Sequence, residues 1–205
     1  MDNWWEEYKV DVPEGQSGNW KVERFEITED DAKLQNTMAQ FSFTQRGRFI
    51  KPGIYTSLLR GGTPVMSDTP AEIRDHLGAI QHASGHCLVN GLGLGMVVQA
   101  MLERLQSFSD QLAVEKVTVI EKSEDVIKLV AGHYAKKYGD RIEIINADAF
   151  EYKPPKGIRY GAVWHDIWDV ICPDNKEQMS KLHRKYGRRA DWQSSWRRQD
   201  VMGRA

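Results

Sequence analysis

From Trp20 to Ile27 (WKVERFEI) apolar and polar residues alternate with period two, the mark of a strand with one buried face. Residues 1–18 are largely polar beyond Trp4 and Trp5 and close on Pro13, Gly15 and Gly18, which reads as an arm. Residues 30–40 carry a weak helical pattern. Residues 41–59 are mixed and broken at Gly47, Pro52 and Gly53, so they suit short strands or a hairpin, and Gly61-Gly62 marks a turn. Thr69-Pro70-Ala71-Glu72 predicts a helix start, with Thr69 as N-cap, proline at the first position and glutamate three after the cap. That helix ends near Gly85. Cys87-Leu88-Val89 is then an apolar run that breaks into Gly91, Gly93 and Gly95, the pattern of a buried parallel strand ending in a tight turn that feeds a helix. Residues 96–108 form that helix. Residues 116–120 (KVTVI) are a second strand ending at Glu121, and Ser123 caps a helix through about Tyr138. Residues 141–145 are a third strand, ending before Asp148, and 160–164 a fourth, ending in His165 and Asp166. Residues 175–190 and 191–202 look helical and polar.

Strands alternating with helices predict an α/β fold: a Rossmann-like parallel sheet with helices on both faces and right-handed crossovers, preceded by a small N-terminal β-containing appendage. Three segments are expected: 1–66 as arm and small β-rich region, 67–174 as the core, and 175–205 as a helical basic tail. No fifth strand is evident after Asp166, so the sheet is expected to be truncated, its edge covered by the C-terminal helices or by a second subunit. Ligands of such sheets sit outside the carboxyl ends of the strands. Here four consecutive strand ends carry a glycine cluster or a carboxylate: Gly91–Gly95, Glu121, Asp148 and Asp166.

Composition narrows the partners. The 205 residues carry a formal net charge of −1, which gives no global electrostatic case for nucleic acid or a membrane surface. Cys87 and Cys172 are too few for a disulfide scaffold and point to a reducing, cytoplasmic setting. No apolar run approaches the roughly 20 residues of a membrane helix, and the N-terminal residues lack the layout of a signal peptide. His76, His82 and His86 beside Cys87 raise the question of a metal. Gly85 interrupts their helix and no C-x-x-C or H-E-x-x-H accompanies them, so no metal is expected. The tail is locally basic, with Lys181, Arg184, Lys185, Arg188, Arg189, Arg197, Arg198 and Arg204 against Asp191 and Asp200. Phosphate contact with support from Trp192 and Trp196 is one reading. The favoured one has the tryptophans, four apart on a helix, dock that helix on the sheet while the arginines face water.

The glycine turn invites a nucleotide-like ligand, because glycine lets backbone approach a ligand closely. The dinucleotide fingerprint fails: its last position is Met96 counted from Gly91, or Val98 counted from Gly93. The Gly-Lys-Ser/Thr of a P-loop is absent. The pattern resembles class I S-adenosylmethionine-dependent methyltransferases over roughly residues 85 to 173. Gly91-Leu92-Gly93-Leu94-Gly95 is similar to their G-x-G-x-G turn, Glu121 and Ser123 to their E-x-S, and Asn146-Ala147-Asp148-Ala149-Phe150 to their third motif. The resemblance implies S-adenosylmethionine as cofactor, held by Gly91, Leu92, Gly93, Gly95, Glu121, Lys122, Asp148 and Ala149. Glu121 would face the ribose hydroxyls and Asp148 the adenine amino group, while the glycines leave room for the methionine portion.

One departure stands out. The family often has an acidic residue where this chain has Val89, an absence shared with the spermidine-synthase-like branch. Asp166-Ile167-Trp168-Asp169, followed by Pro173, also resembles that branch's D-x-x-D, in which the first aspartate binds and deprotonates an amine. Leu94 stands where that branch has an acidic residue, which argues against aminopropyl transfer. Taken whole, the chain looks most like small methyltransferase-like proteins of phage genomes. Asp166, Asp169 and His165 are the candidate catalytic residues, and Tyr55, Arg60 and Trp168 the candidate substrate contacts, with 64–68 as part of a lid. Three functions stay open: methyl transfer to an unidentified acceptor, aminopropyl transfer, and a non-catalytic adenosyl-binding module on a degenerate fold.

Overall fold

The computed structural model describes residues 3–41, 48–103 and 113–203. The alternating run forms β2 (Trp20–Ile27), which pairs antiparallel with β1 (Gly15–Ser17) and with β3 (Gly53–Arg60). Helix α1 (Glu29–Phe41) lies between β2 and β3 in sequence. Gly61 and Gly62, at φ +58° and +82°, turn β3 back onto β4 (Thr63–Ser67). The result is a four-stranded sheet ordered β1-β2-β3-β4. The segment expected to be an arm is instead anchored. Trp5, Val10 and Val12 are buried in the main core, and Glu6–Tyr8 forms a 3₁₀ turn. The buried Asp68 carboxylate ties this segment to the sheet, accepting from the amides of Val10 at 3.1 Å and Thr56 at 2.6 Å.

After α2 (Pro70–His82) come β5 (Gly85–Asn90), α3 (Met96–Glu103), β6 (Val114–Glu121), α4 (Glu124–Tyr138), β7 (Ile142–Asn146), β8 (Tyr160–His165), α5 (Asn175–Tyr186), β9 (Ala190–Ser195) and α6 (Arg198–Met202). The strands make a five-stranded parallel sheet ordered β7-β6-β5-β8-β9. Successive side chains on a strand point to opposite faces. Cys87 and Val89 therefore join Val117, Val119 and Trp164 in the core under α2, α3 and α4. Leu88, Ile120 and Val163 face the other way, onto Met179, Leu182 and Tyr186 of α5. Helices thus cover both faces, as expected of a Rossmann-like fold. The strand order reverses between β5 and β8, and this is where such sheets open a crevice for ligands.

One expectation fails. Residues 190–195 are a strand, β9, parallel to β8, rather than part of a helix, so the core sheet has a fifth strand that the sequence reading lacked. Trp192 is held by stacking, its ring near-parallel to those of His82 (centroids 4.6 Å apart) and Trp164 (6.2 Å). The helix start holds, with Thr69 at the N-cap of α2 and Pro70 at its first position, but the Thr69 side chain makes no capping bond. Its hydroxyl meets Ser67 Oγ at 3.0 Å, while Glu72, expected to reach back to the cap, pairs with Arg48 at 3.1 Å. Ser123 does cap α4, accepting from Val126 N at 3.3 Å. The expected helix end at 108 and the breaker Gly47 lie outside the described residues. Among those residues no helix is long and apolar enough to cross a membrane.

Candidate active site

The first glycine of the turn is required by the sheet itself. Gly91 ends β5 at φ +98°, and a Cβ there would sit 1.9 Å from the carbonyl oxygen of Asp166 at the end of β8. The two strands that flank the crevice are thus in direct backbone contact. Gly95, at φ +74°, backs onto the ring of Tyr134, whose hydroxyl donates to Leu94 O at 2.8 Å. Gly93, at φ +52°, faces Met66 of β4, with 2.4 Å from a built Cβ to the thioether sulfur.

A cleft of about 460 Å³ opens over this turn, between the N-terminal sheet and the carboxyl ends of β5, β6, β7 and β8. That volume lies in the small-molecule range of roughly 300 to 1,000 Å³. Of the residues expected to hold a cofactor, Gly91, Gly93, Glu121, Lys122, Asp148 and Ala149 line it. Leu92 is turned into the core, though its amide is used, and Gly95 packs on Tyr134. Glu121 joins two strand ends, its Oε2 accepting from Leu92 N at 2.8 Å and its Oε1 from Ser123 N at 2.7 Å. Asp148 accepts from Phe150 N at 2.7 Å and from Lys122 Nζ at 2.8 Å. The lysine hydrogen bond holds its carboxyl below the ordinary aspartate value.

Asp166 lines the cleft, and no hydrogen bond to its carboxylate is found among the described residues. Burial, then the nearby Glu72, Asp75 and Glu121, pushes its carboxyl well above the usual range. Trp168 also lines the cleft and donates its indole N–H to Gln178 at 2.6 Å. Asp169 is exposed and pairs with Arg60 at 2.8 Å, a link between β3 and the segment after β8. Arg60 also lies over the Trp20 ring, 5.3 Å from its centroid.

Two candidates fall elsewhere. His165 belongs to the opposite face of β8 from Trp164, so its ring points into α5, not the cleft. Its Nδ1 meets Asn90 Nδ2 at 2.8 Å, and burial, with His183 close by, pushes its pKa down to about 3. It cannot serve as the base in the cleft. Tyr55 is buried with its hydroxyl donating to Lys51 O at 2.9 Å, under the Lys9 ammonium, and does not line the cleft. His82 and His86 go to Gly78 O and Thr118 Oγ1.

Sequence reading missed Glu72 and Met66. Glu72 served only as part of a helix start, yet it reaches the cleft beside Asp166, and burial raises its pKa to about 7 despite Arg48. Met66 lay inside a segment singled out as a lid, but nothing in its own residue type marked it. The charged residues on the cleft wall are Glu72, Glu121, Asp148, Asp166 and Asp169 against Arg60 and Lys122.

No family model matches the chain, and no curated protein matches it. Solved structures do. The chain is similar to MNMC2 from Aquifex aeolicus (22% identity, TM-score 0.44, covering 68% of this chain and 56% of that one). It is also similar to a methyltransferase candidate, yhhF, from Escherichia coli (15%, 0.43, covering 61% and 66%). A third is a dimethyladenosine transferase from Plasmodium falciparum (18%, 0.41, covering 58% and 37%). The chain therefore spans less than two thirds of the length of each, and its fold assignment stands on its own strand order.

Proposed function

We propose that this chain is an S-adenosylmethionine-dependent methyltransferase acting on an acceptor yet to be identified. The observation that carries the proposal is an acid-lined cleft at the sheet's crevice, with Glu121 and Asp148 following neighbouring strands β6 and β7. A phosphate-bearing cofactor would meet carboxylates there and little positive charge to offset its own. A sulfonium nucleoside is cationic, and its hydroxyls and amino group are donors that suit carboxylate acceptors.

The residues fit that ligand. Gly91 and Gly93 form part of the floor, Gly91 against the Asp166 backbone and Gly93 under Met66, and Ile120, Val126, Ala149 and Phe150 give apolar wall. Each oxygen of Glu121 accepts one backbone bond and keeps a further lone pair for a ribose hydroxyl. Bound S-adenosylmethionine would supply an electrophilic methyl group. The chain's part is to align the acceptor, exclude water and remove a proton. Asp166, on the cleft wall, is the group placed to accept that proton when its carboxylate is ionised, while Asp169 is engaged with Arg60 as a tie across the cleft.

Calorimetric titration with S-adenosylmethionine and S-adenosylhomocysteine tests the proposal. Binding that is lost in Glu121→Ala supports it; no binding at millimolar ligand overturns it. Product analysis then separates the chemistries, since methyl transfer leaves S-adenosylhomocysteine, whereas aminopropyl transfer, from the decarboxylated sulfonium, leaves methylthioadenosine.

A further inference from the structure

The backbone N–H groups of the glycine turn are largely spoken for. Gly91 donates to Ile120 O, Leu92 to Glu121 Oε2 and Gly95 to Leu92 O, each at 2.8 Å. Leu94 is different: its N–H points at the sulfur of Met66, 3.3 Å away. Three of these amides have oxygen acceptors and the fourth has a thioether, which is a weak acceptor. Met66 comes from the other sheet. It sits on β4 opposite Leu58, with its own carbonyl accepting from Ser57 Oγ at 3.2 Å. Its sulfur rests on Gly93 at a distance a Cβ would not tolerate, and the side chain forms part of the cleft wall.

We infer that Met66 is a specificity-determining residue, a displaceable plug that competes with the amino-acid limb of an adenosyl ligand for the surface of Gly93 and the N–H of Leu94. This rests on the adenosyl reading of the cleft. The limb carries the ligand's one carboxylate, and a charged oxygen acceptor forms a much stronger bond to an amide than a thioether does. Methionine is unbranched with three rotatable bonds, so it can swing away without moving the strand that carries it. Displacing it costs affinity only for ligands that have the limb. A 5′-thioether nucleoside without one leaves Met66 in place.

The test compares S-adenosylhomocysteine with 5′-methylthioadenosine by calorimetry, on wild type, Met66→Ala and Met66→Leu. Met66→Ala should tighten S-adenosylhomocysteine by about fivefold or more, the scale of one ordered flexible side chain and one weak hydrogen bond, and leave methylthioadenosine within about twofold. Met66→Leu keeps the bulk and removes the acceptor, so it should tighten only the same ligand, by less. Circular dichroism confirms that each variant is folded, and the leucine variant decides the matter if alanine disrupts the hairpin. Equal shifts for both ligands, or none for S-adenosylhomocysteine, overturn the role of Met66 while leaving the adenosyl reading intact. Absence of binding by both ligands to every form overturns the adenosyl reading and the Met66 role with it.

Discussion

His76 Nε2 lies 3.7 Å from Oδ2 of Asp166, and among the described residues neither ring nitrogen of the histidine has a hydrogen-bond partner. The buried ring stands nearly perpendicular to that of Trp164, at 5.6 Å between centroids, and feels the charge of Arg48, which pairs with Glu72 and Asp75. Burial, helped by Arg48, pushes the His76 pKa down to about 3. Across the same wall burial and Asp75 raise Glu72 to about 7. Neighbouring groups are therefore both held neutral at mildly acidic pH, with opposite consequences for stability.

The stability contribution linked to His76 is fully present above its unfolded value of 6.5 and is lost as pH falls toward 3, because the unfolded chain binds the proton first. That amounts to about 2 kcal/mol by pH 5. Glu72 runs the other way: its contribution is full below 4.5 and is lost as pH rises through about 7. Urea unfolding of His76→Phe at pH 7.5 and pH 5 should show the variant gaining about 2 kcal/mol on wild type upon acidification. Glu72→Gln should lose a similar amount over the same interval. Curves that stay parallel to wild type in both variants would disprove the assignment.

Gly91 and Gly132 give opposite responses to one added methyl. Gly91→Ala drives Cβ into the Asp166 carbonyl at a φ of +98°, and should cost about 3 kcal/mol or more or abolish folding. Gly132 lies inside α4 with nothing within 4 Å of a built Cβ. Gly132→Ala should stabilise by about 0.5 to 1 kcal/mol, the helix propensity difference. Thermal melts of the two variants are the measurement, and a benign Gly91→Ala would mean that β5 and β8 do not meet as described.

Glu121 has a structural task alongside its proposed ligand role. Removing its carboxylate strands the amides of Leu92 and Ser123, so Glu121→Ala should cost about 1.5 to 3 kcal/mol in the absence of any ligand. Glu121→Gln retains one amide oxygen as acceptor and should recover part of that stability. If adenosyl binding is as proposed, the glutamine variant still loses affinity, since one carboxylate oxygen has become an N–H donor. Equal affinity of Glu121→Gln and wild type for S-adenosylhomocysteine would leave Glu121 with the structural task alone.

What the chain's pattern discloses depends on how each segment gains its stability. β5, β6 and β8 are apolar because both faces are covered, and the glycines and carboxylates at their ends stand out by contrast; that much of the site was readable. Tyr55 and His165 were not, since strand phase decides whether such a residue faces cleft or core, and a residue near a strand end looks the same either way. Met66 and Glu72 reach the cleft from other elements, and only the three-dimensional packing of α2 and β4 against the turn brings them there. Trp5, Val10 and Val12 sit in an irregular segment with no period to read, although each is buried.

β9 is the most instructive miss, and it yields a prediction of its own. Its sequence, ADWQSS, has one large apolar residue and no alternation, because an edge strand is held by backbone pairing on one side and needs little apolar surface. Trp192 anchors it by stacking on His82 of α2, with the planes 7° apart. Trp192→Ala should cost about 2 to 4 kcal/mol, less than a fully buried tryptophan because the ring is partly exposed. A double-mutant cycle with His82→Ala should return a coupling of about 0.5 to 1.5 kcal/mol, the worth of an aromatic pair beyond its area. Were residues 191–202 a solvated basic helix instead, the two substitutions would add without coupling. The cycle, read by urea unfolding, therefore separates a fifth strand packed on α2 from a free tail.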